Sequence, residues 1–217
     1  HNAERVLLEA KTNLADHVTV YLTLGKLYEQ SNRVAQARDI YSEGCSHCAD
    51  NPELLVALGR ANRTLGEFDA GLAQIDLALS MDSAHQPALV ERTSFYILKG
   101  EYEAAFTLLD TFLSSGSGQT VTPGLAMAYA HVCRLTRRYD ESISVLRKTL
   151  KTPGIPDEMT SVILFSIGES YDKMEKYDDA FTQYRKANTV STYKTDLHRY
   201  LEVLGDIQTT IGKAPID

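Results

Sequence analysis

The sequence predicts an all-α solenoid of helical hairpins, and three observations carry that expectation. The chain repeats itself: Leu65-Gly66-Glu67-Phe68 and Lys99-Gly100-Glu101-Tyr102 are the same corner 34 residues apart, and Arg138-Tyr139-Asp140 and Lys176-Tyr177-Asp178 restate it 37 and 38 residues further on each time. Self-similarity at such a period marks stacked supersecondary units. Small residues recur at fixed places in each period, with Gly25, Gly59, Ala130 and Gly168 in the first helix of a pair and Ala37, Gly71, Ala105 and Ala180 in the second. Gly inside a helix costs about 1 kcal/mol relative to Ala. Two helices approaching to the short end of ~8–10 Å supply a reason for it. Around these positions, large apolar residues keep the i, i+3/i+4 spacing of an amphipathic helix.

The elements follow in order. Ala3, Leu7 and Ala10 fit the second helix of a half repeat at 1–17, helical over about 3–15. Helix pairs are expected at about 18–30/33–47, 53–65/68–81, 86–98/102–115, 123–136/139–151 and 158–174/177–190. The corresponding repeats run about 18–51, 52–85, 86–119, 123–156 and 161–193. Leu197, Leu201, Leu204, Ile207 and Ile211 keep helical spacing and predict a capping helix over about 194–212. Gly66 and Gly100 supply positive φ at the corners. Pro52, Pro87, Pro123 and Pro156 are expected just before first helices, where a missing N–H costs little. Ser114-Ser115-Gly116-Ser117-Gly118-Gln119 reads as an insertion, since the register resumes after it, so 1–217 is expected to be a single solenoid domain. The chain opens on His1-Asn2-Ala3 without a Met, which suggests a piece of a longer protein.

Composition excludes several function classes. With 22 Lys+Arg against 29 Asp+Glu, the net charge of −7 argues against general nucleic-acid binding, which needs cations to neutralise phosphates. The apolar runs, such as Leu54-Leu55-Val56-Ala57-Leu58, are too short to span a membrane. Three cysteines form no disulfide framework, and a cytoplasmic setting is expected. The phosphate-binding, dinucleotide, zinc-protease, calcium-loop and nucleophile-elbow motifs are all missing. Cys45-Ser46-His47-Cys48 has redox or zinc spacing, but the βαβ context is missing and the third cysteine, Cys133, is distant. It reads as two small residues near a helix end. Asn62-Arg63-Thr64 fits a glycosylation sequon but falls inside a predicted helix. No catalytic, metal or cofactor-binding residue is assigned.

The first full repeat reads Tyr21-x2-Leu24-Gly25-x2-Tyr28, then Ala37-x3-Tyr41. The second reads Leu55-x2-Leu58-Gly59, then Gly71-x3-Ile75, and the fifth Leu164-x2-Ile167-Gly168-x2-Tyr171, then Ala180-x3-Tyr184 and Ala187. With weaker third and fourth copies between them, the chain resembles the tetratricopeptide repeat (TPR) family over nearly its whole length. The resemblance implies a right-handed superhelix whose first helices line a concave groove for a protein or peptide. On that expectation the groove carries Lys26, Arg60, Arg63, Val90, Ile97, Met127, His131, Arg134 and Glu169. Four of these, Arg60, Arg63, His131 and Arg134, flank an apolar middle that suits an acidic or C-terminal peptide. The alternative is solvated helix faces whose arginines pair with nearby Glu. Leu22 and Lys26 stand where a carboxylate clamp of the family would have Lys and Asn, so chaperone-tail binding is not expected. The expected state is a monomer or weak homodimer.

The segment from Phe165 to Asn188, with its Tyr177-Asp178-x-Ala180-Phe181-x-x-Tyr184-Arg185-x-Ala187-Asn188 run, also resembles the last repeat before the catalytic domain of bacterial TPR-containing sulfotransferases. That resemblance implies a domain beyond residue 217 transferring sulfate from PAPS. The Pro-x-Ser-Gly-Thr-like phosphosulfate loop does not occur in these 217 residues. The fragment itself is therefore expected to be a non-catalytic interaction scaffold, or a substrate-recruiting or dimerising accessory of such an enzyme.

Overall fold

The computed structural model describes residues 2–49, 51–115 and 120–190. Among them are eleven helices and no strand: α1 (Asn2–Asn13), α2 (Val18–Gln30), α3 (Val34–His47), α4 (Pro52–Thr64), α5 (Phe68–Met81), α6 (Gln86–Leu98), α7 (Tyr102–Ser114), α8 (Pro123–Leu135), α9 (Tyr139–Thr149), α10 (Asp157–Lys173) and α11 (Tyr177–Val190). Every expected helix up to residue 190 is present, with ends within two residues of the expected ones. The expected capping helix over 194–212 and most of the Ser/Gly insertion lie outside the described residues.

The chain divides into two compact units, His1–Phe112 and Leu113–Asp217. In the first, each helix from α1 to α6 packs on the next, and the first helices of successive pairs also touch, α2 with α4 and α4 with α6. In the second, α8, α9, α10 and α11 pack in the same sequence, and α8 touches α10. Stacking of this kind gives each unit a face made of first helices. The first unit's core joins Tyr21, Leu24, Tyr41, Leu54 and Ala61 in one cluster and Ile75, Ala88 and Phe95 in another. The second unit's core joins Leu146, Ile163 and Ile167, with Ala180, Tyr184 and Ala187 in a neighbouring cluster.

The small residues sit where helices cross, but two different contacts require them. A Cβ built on Gly59 would lie 2.9 Å from the carbonyl oxygen of Gly71, and one on Gly71 would lie 2.8 Å from that of Gly59. This is the expected contact of small residue on small residue. At Gly25 the neighbour is instead the ring of Tyr41, 2.1 Å from an added Cβ, and at Gly168 it is the ring of Tyr184, 2.5 Å away. Here the aromatic four residues after the small Ala of the second helix lies across the first helix. Glycine leaves room for the ring, while Ala37 and Ala180 are themselves wholly buried.

All five corners share one hydrogen-bond pattern. The N–H groups of Arg33, Glu67, Glu101, Arg138 and Lys176 donate to carbonyls five residues back, those of Tyr28, Asn62, Tyr96, Cys133 and Tyr171. The preceding residue has positive φ in each: Asn32 (58°), Gly66 (83°), Gly100 (75°), Arg137 (60°) and Glu175 (60°). This is the Schellman ending of a helix, which satisfies carbonyls that the helix leaves orphaned. Glycine shows it in two corners; the corners at Arg137 and Glu175 adopt it against the preference of their side chains.

The helix starts also follow local chemistry. The side chains of Asn51, His85 and Thr122 accept hydrogen bonds from the backbone N–H of Leu54, Ala88 and Leu125. The prolines sit slightly later than expected: Pro52 and Pro123 open their helices, Pro87 is the second residue of α6, and Pro156 alone precedes its helix. All remain among the first-turn positions whose N–H has no helical partner.

Two outcomes follow from these contacts. Arg137→Gly and Glu175→Gly should each stabilise the fold by about 1 kcal/mol, because glycine adopts positive φ without the steric cost borne by other residues. A higher urea midpoint at unchanged slope would show it. Gly25→Ala should destabilise by about 1–3 kcal/mol, since its Cβ overlaps the Tyr41 ring. The same melts read that loss, and an unchanged midpoint would contradict the contact.

Candidate interaction surface

The first-helix face of the first unit is built from positions one turn apart. Lys26 and Glu29 lie on α2, Arg60 and Arg63 on α4, and Val90, Glu91, Ser94 and Ile97 on α6. Helix stacking brings these rows together. The Arg60 Nη2 donates to both Glu29 oxygens, at 3.2 and 3.3 Å. The Arg63 Nε and Nη2 meet Glu91 Oε2 at 3.2 and 3.1 Å. Glu91 is buried, so this second pair is the more enclosed of the two. Burial pulls the Arg60 guanidinium down, but Glu29 and then Glu91 more than offset it and leave its pKa raised. The Tyr41 hydroxyl lies near this pair; burial first, and Glu29 next, push its pKa up.

The expected groove arginines are therefore cross-braces from one first helix to the next. Lys26 is exposed, and no carboxylate among the described residues pairs with it. Val90 and Ile97 are half-buried on α6.

The second unit repeats the device. The Arg134 Nη2 lies 3.1 Å from Glu169 Oε2, and its Nη1 donates to Ser166 Oγ at 2.6 Å. Burial lowers the Arg134 pKa, with Glu169 opposing it. Beside this brace, Ser142 and Ser170 share a buried hydroxyl contact of 2.9 Å. Met127 is half-buried on α8, and His131 keeps part of its surface open to solvent while the rest of the residue is covered by protein. Desolvation of the ring, followed by Arg134 three residues along, holds the His131 imidazole below its ordinary range.

Cys45 and Cys48 lie at the end of α3. Burial, then Cys48, pushes the Cys45 thiol up to about 11, and burial, then Asp16, raises Cys48. Both stay as thiols at neutral pH, whereas the thiolate is the nucleophilic form. Among the described residues, no group of three or more His, Cys, Asp or Glu side chains is placed to hold a metal ion. None of the described helices is long and apolar enough to cross a membrane.

Comparison with known proteins agrees with this geometry. Residues 18–61 match the tetratricopeptide repeat family. A thermophilic TPR protein of Thermus thermophilus superimposes with a TM-score of 0.71 at 18% identity, over 87% of this chain and 98% of that one. The fold is that of a TPR protein. Yeast Tom70 gives a TM-score of 0.75 at 14% identity, over 98% of this chain and 45% of the other. A chain of the APC/C hetero-tetramer Cut9–Hcn1 gives 0.74 at 14%, over 94% and 39%. No curated protein matches the chain.

In these helix pairs the sequence reading located the arginines and left open their pairing with nearby Glu, without assigning which residue each one meets. Glu91 and Ser166 were passed over, although a signal exists: the partners lie 28 to 32 residues away, close to one repeat. A charge and its complement at nearly the repeat distance on successive first helices are placed to meet.

The His131 shift gives a pH dependence. Its folded pKa is depressed, so folding favours the neutral ring. That contribution is fully present above the unfolded value near ~6.5 and is lost as pH falls through the lower folded value. The fall in melting temperature between pH 7.5 and pH 5 should shrink in His131→Gln; an identical fall in both proteins would contradict the assignment.

Proposed function

We propose that this chain is a non-catalytic scaffold that holds a protein or peptide partner on its first-helix faces. The observation that carries the reading is the division of labour on the face of the first unit. Arg60 and Arg63 are spent on bracing the helices, while exposed Lys26 and half-buried Val90 and Ile97 are left over. A partner with apolar side chains next to a carboxylate complements that remainder. Met127 and His131 offer a comparable, smaller set in the second unit. The solved neighbour from the APC/C hetero-tetramer Cut9–Hcn1 is a chain of a multi-chain assembly, which is in keeping with the reading.

A second reading rests on α11. Tyr184 and Ala187 are buried there, but Arg185 and Asn188 are exposed, so packing does not account for these two residues of the sulfotransferase-like run. An accessory role beside a PAPS-dependent catalytic domain would account for them, and sulfate transfer by a full-length product would support it.

The scaffold reading is tested with a photo-crosslinking amino acid placed at Lys26 or Ile97, and at the exposed Thr107 as control, in expressing cells. The expected result is a discrete protein adduct from the first two positions, abolished by Ile97→Glu in the Lys26 probe while the circular dichroism of the chain is unchanged. Equal adducts from Thr107 would overturn it.

A further inference from the structure

Away from the first-helix faces, the second unit gathers cations around one open cavity. Arg147 and Lys148 of α9, Lys151 just after it, and Lys176 at the α10–α11 corner line a space of about 450 Å³. Among the described residues that line it, Asp140 is the only acidic one. Several arginines elsewhere are matched with carboxylates: Arg38 lies 2.9 Å from Glu67, Arg63 3.1 Å from Glu91 and Arg92 3.3 Å from Asp76. Among the described residues, no carboxylate is within ion-pair distance of Lys148, Lys151 or Lys176. In a chain of net charge −7, four cations around a single carboxylate are a local reversal. Like charges held together disfavour one another until an anion enters.

The rim is also partly organised. The Arg147 Nη2 donates to the Tyr171 hydroxyl at 2.7 Å, and its guanidinium stands 5.8 Å from the centre of that ring. This fixes the guanidinium and leaves its other N–H groups, and the Tyr171 hydroxyl proton, available to an acceptor. Ser144 adds a hydroxyl.

We infer that this cavity takes the phosphomonoester dianion of a phosphorylated side chain on a protein partner. A dianion neutralises several cations at once and offers three strong acceptor oxygens. The arginine fork and the lysine point charges match it better than they match one carboxylate. The rim has little apolar wall beyond Ile143 and Tyr171 to grip a small organic phosphate, whereas a partner chain brings its own neighbouring contacts. The site lies on the second-helix side, at α9, and stands independently of the first-helix reading.

The test is a titration of the isotope-labelled chain, followed by amide NMR, with Gly-Gly-phosphoserine-Gly-Gly, the same peptide unphosphorylated, and inorganic phosphate. The expected result is saturable shifts at Ser144, Arg147, Lys148, Lys151 and Lys176 with the phosphopeptide. The unphosphorylated peptide should give none, and inorganic phosphate at least tenfold weaker binding. Lys148→Glu with Lys151→Glu, at exposed positions, should weaken the phosphopeptide at least tenfold, and the milder Lys148→Gln with Lys151→Gln should weaken it less. Salt near 1 M, which screens beyond ~3 Å, should abolish it. Equal shifts from both peptides, inorganic phosphate binding as tightly as the phosphopeptide, or titrations unchanged in the variants would each overturn the inference.

Discussion

The contact on which the rest depends is the crossing of the two helices within a hairpin. At Gly25 and Gly168 a tyrosine ring rests directly on the backbone of the first helix, and at Gly59 and Gly71 the two backbones nearly touch. Interiors are packed as densely as organic crystals, so a single methyl group has nowhere to go at these points. The close crossing sets the tilt of one helix on the next. That tilt in turn determines which first-helix residues of successive pairs come within reach of each other. The braces Arg60–Glu29, Arg63–Glu91 and Arg134–Glu169 are consequences of it. Without the small residues, the rows that carry these charges would sit further apart.

The corners show the same dependence from the other direction. A hairpin needs its second helix to start at a fixed angle, and the Schellman ending provides that angle through two backbone hydrogen bonds. Where glycine is present the conformation is free of strain. Where Arg137 and Glu175 occupy the place, the packing of the flanking helices forces the conformation on residues that disfavour it. The second unit therefore carries strain at both its corners that the first avoids at Gly66 and Gly100.

This explains how much could be read from the sequence. The helices and corners up to residue 190 were legible because they rest on period, spacing and small residues, which are local features of the chain. The partner of Gly25 was not, because the sequence marks that a close approach exists without saying whether an alanine or a ring makes it. Of the candidate site, the positions on the first helices were legible, and pairing of their arginines with nearby Glu stood as one of two readings; which Glu each arginine meets was not legible. Arg60, Arg63 and Arg134 read as a basic groove when taken one helix at a time. Their charges are balanced only once the neighbouring helix is in place, by Glu29, Glu91 and Glu169 from a different repeat. The cavity between α9 and α10 escaped for the same reason, since Lys176 and Tyr171 join Arg147, Lys148 and Lys151 only when the next helix pair is in place.

Net charge is accordingly a poor guide to where this molecule carries potential. A value of −7 is an average over acidic first turns, paired braces and one unpaired cationic rim. A half-exposed ion pair contributes little field at a distance and, in isolation, little stability. What it does here is hold a side chain in place between two helices. Cations freed from that task, such as Lys26 on α2 of the first unit and Lys148 on α9 of the second, are the ones that can act on a partner. The division between bracing and unpaired charge, more than the sign of the total, describes what each face can recognise.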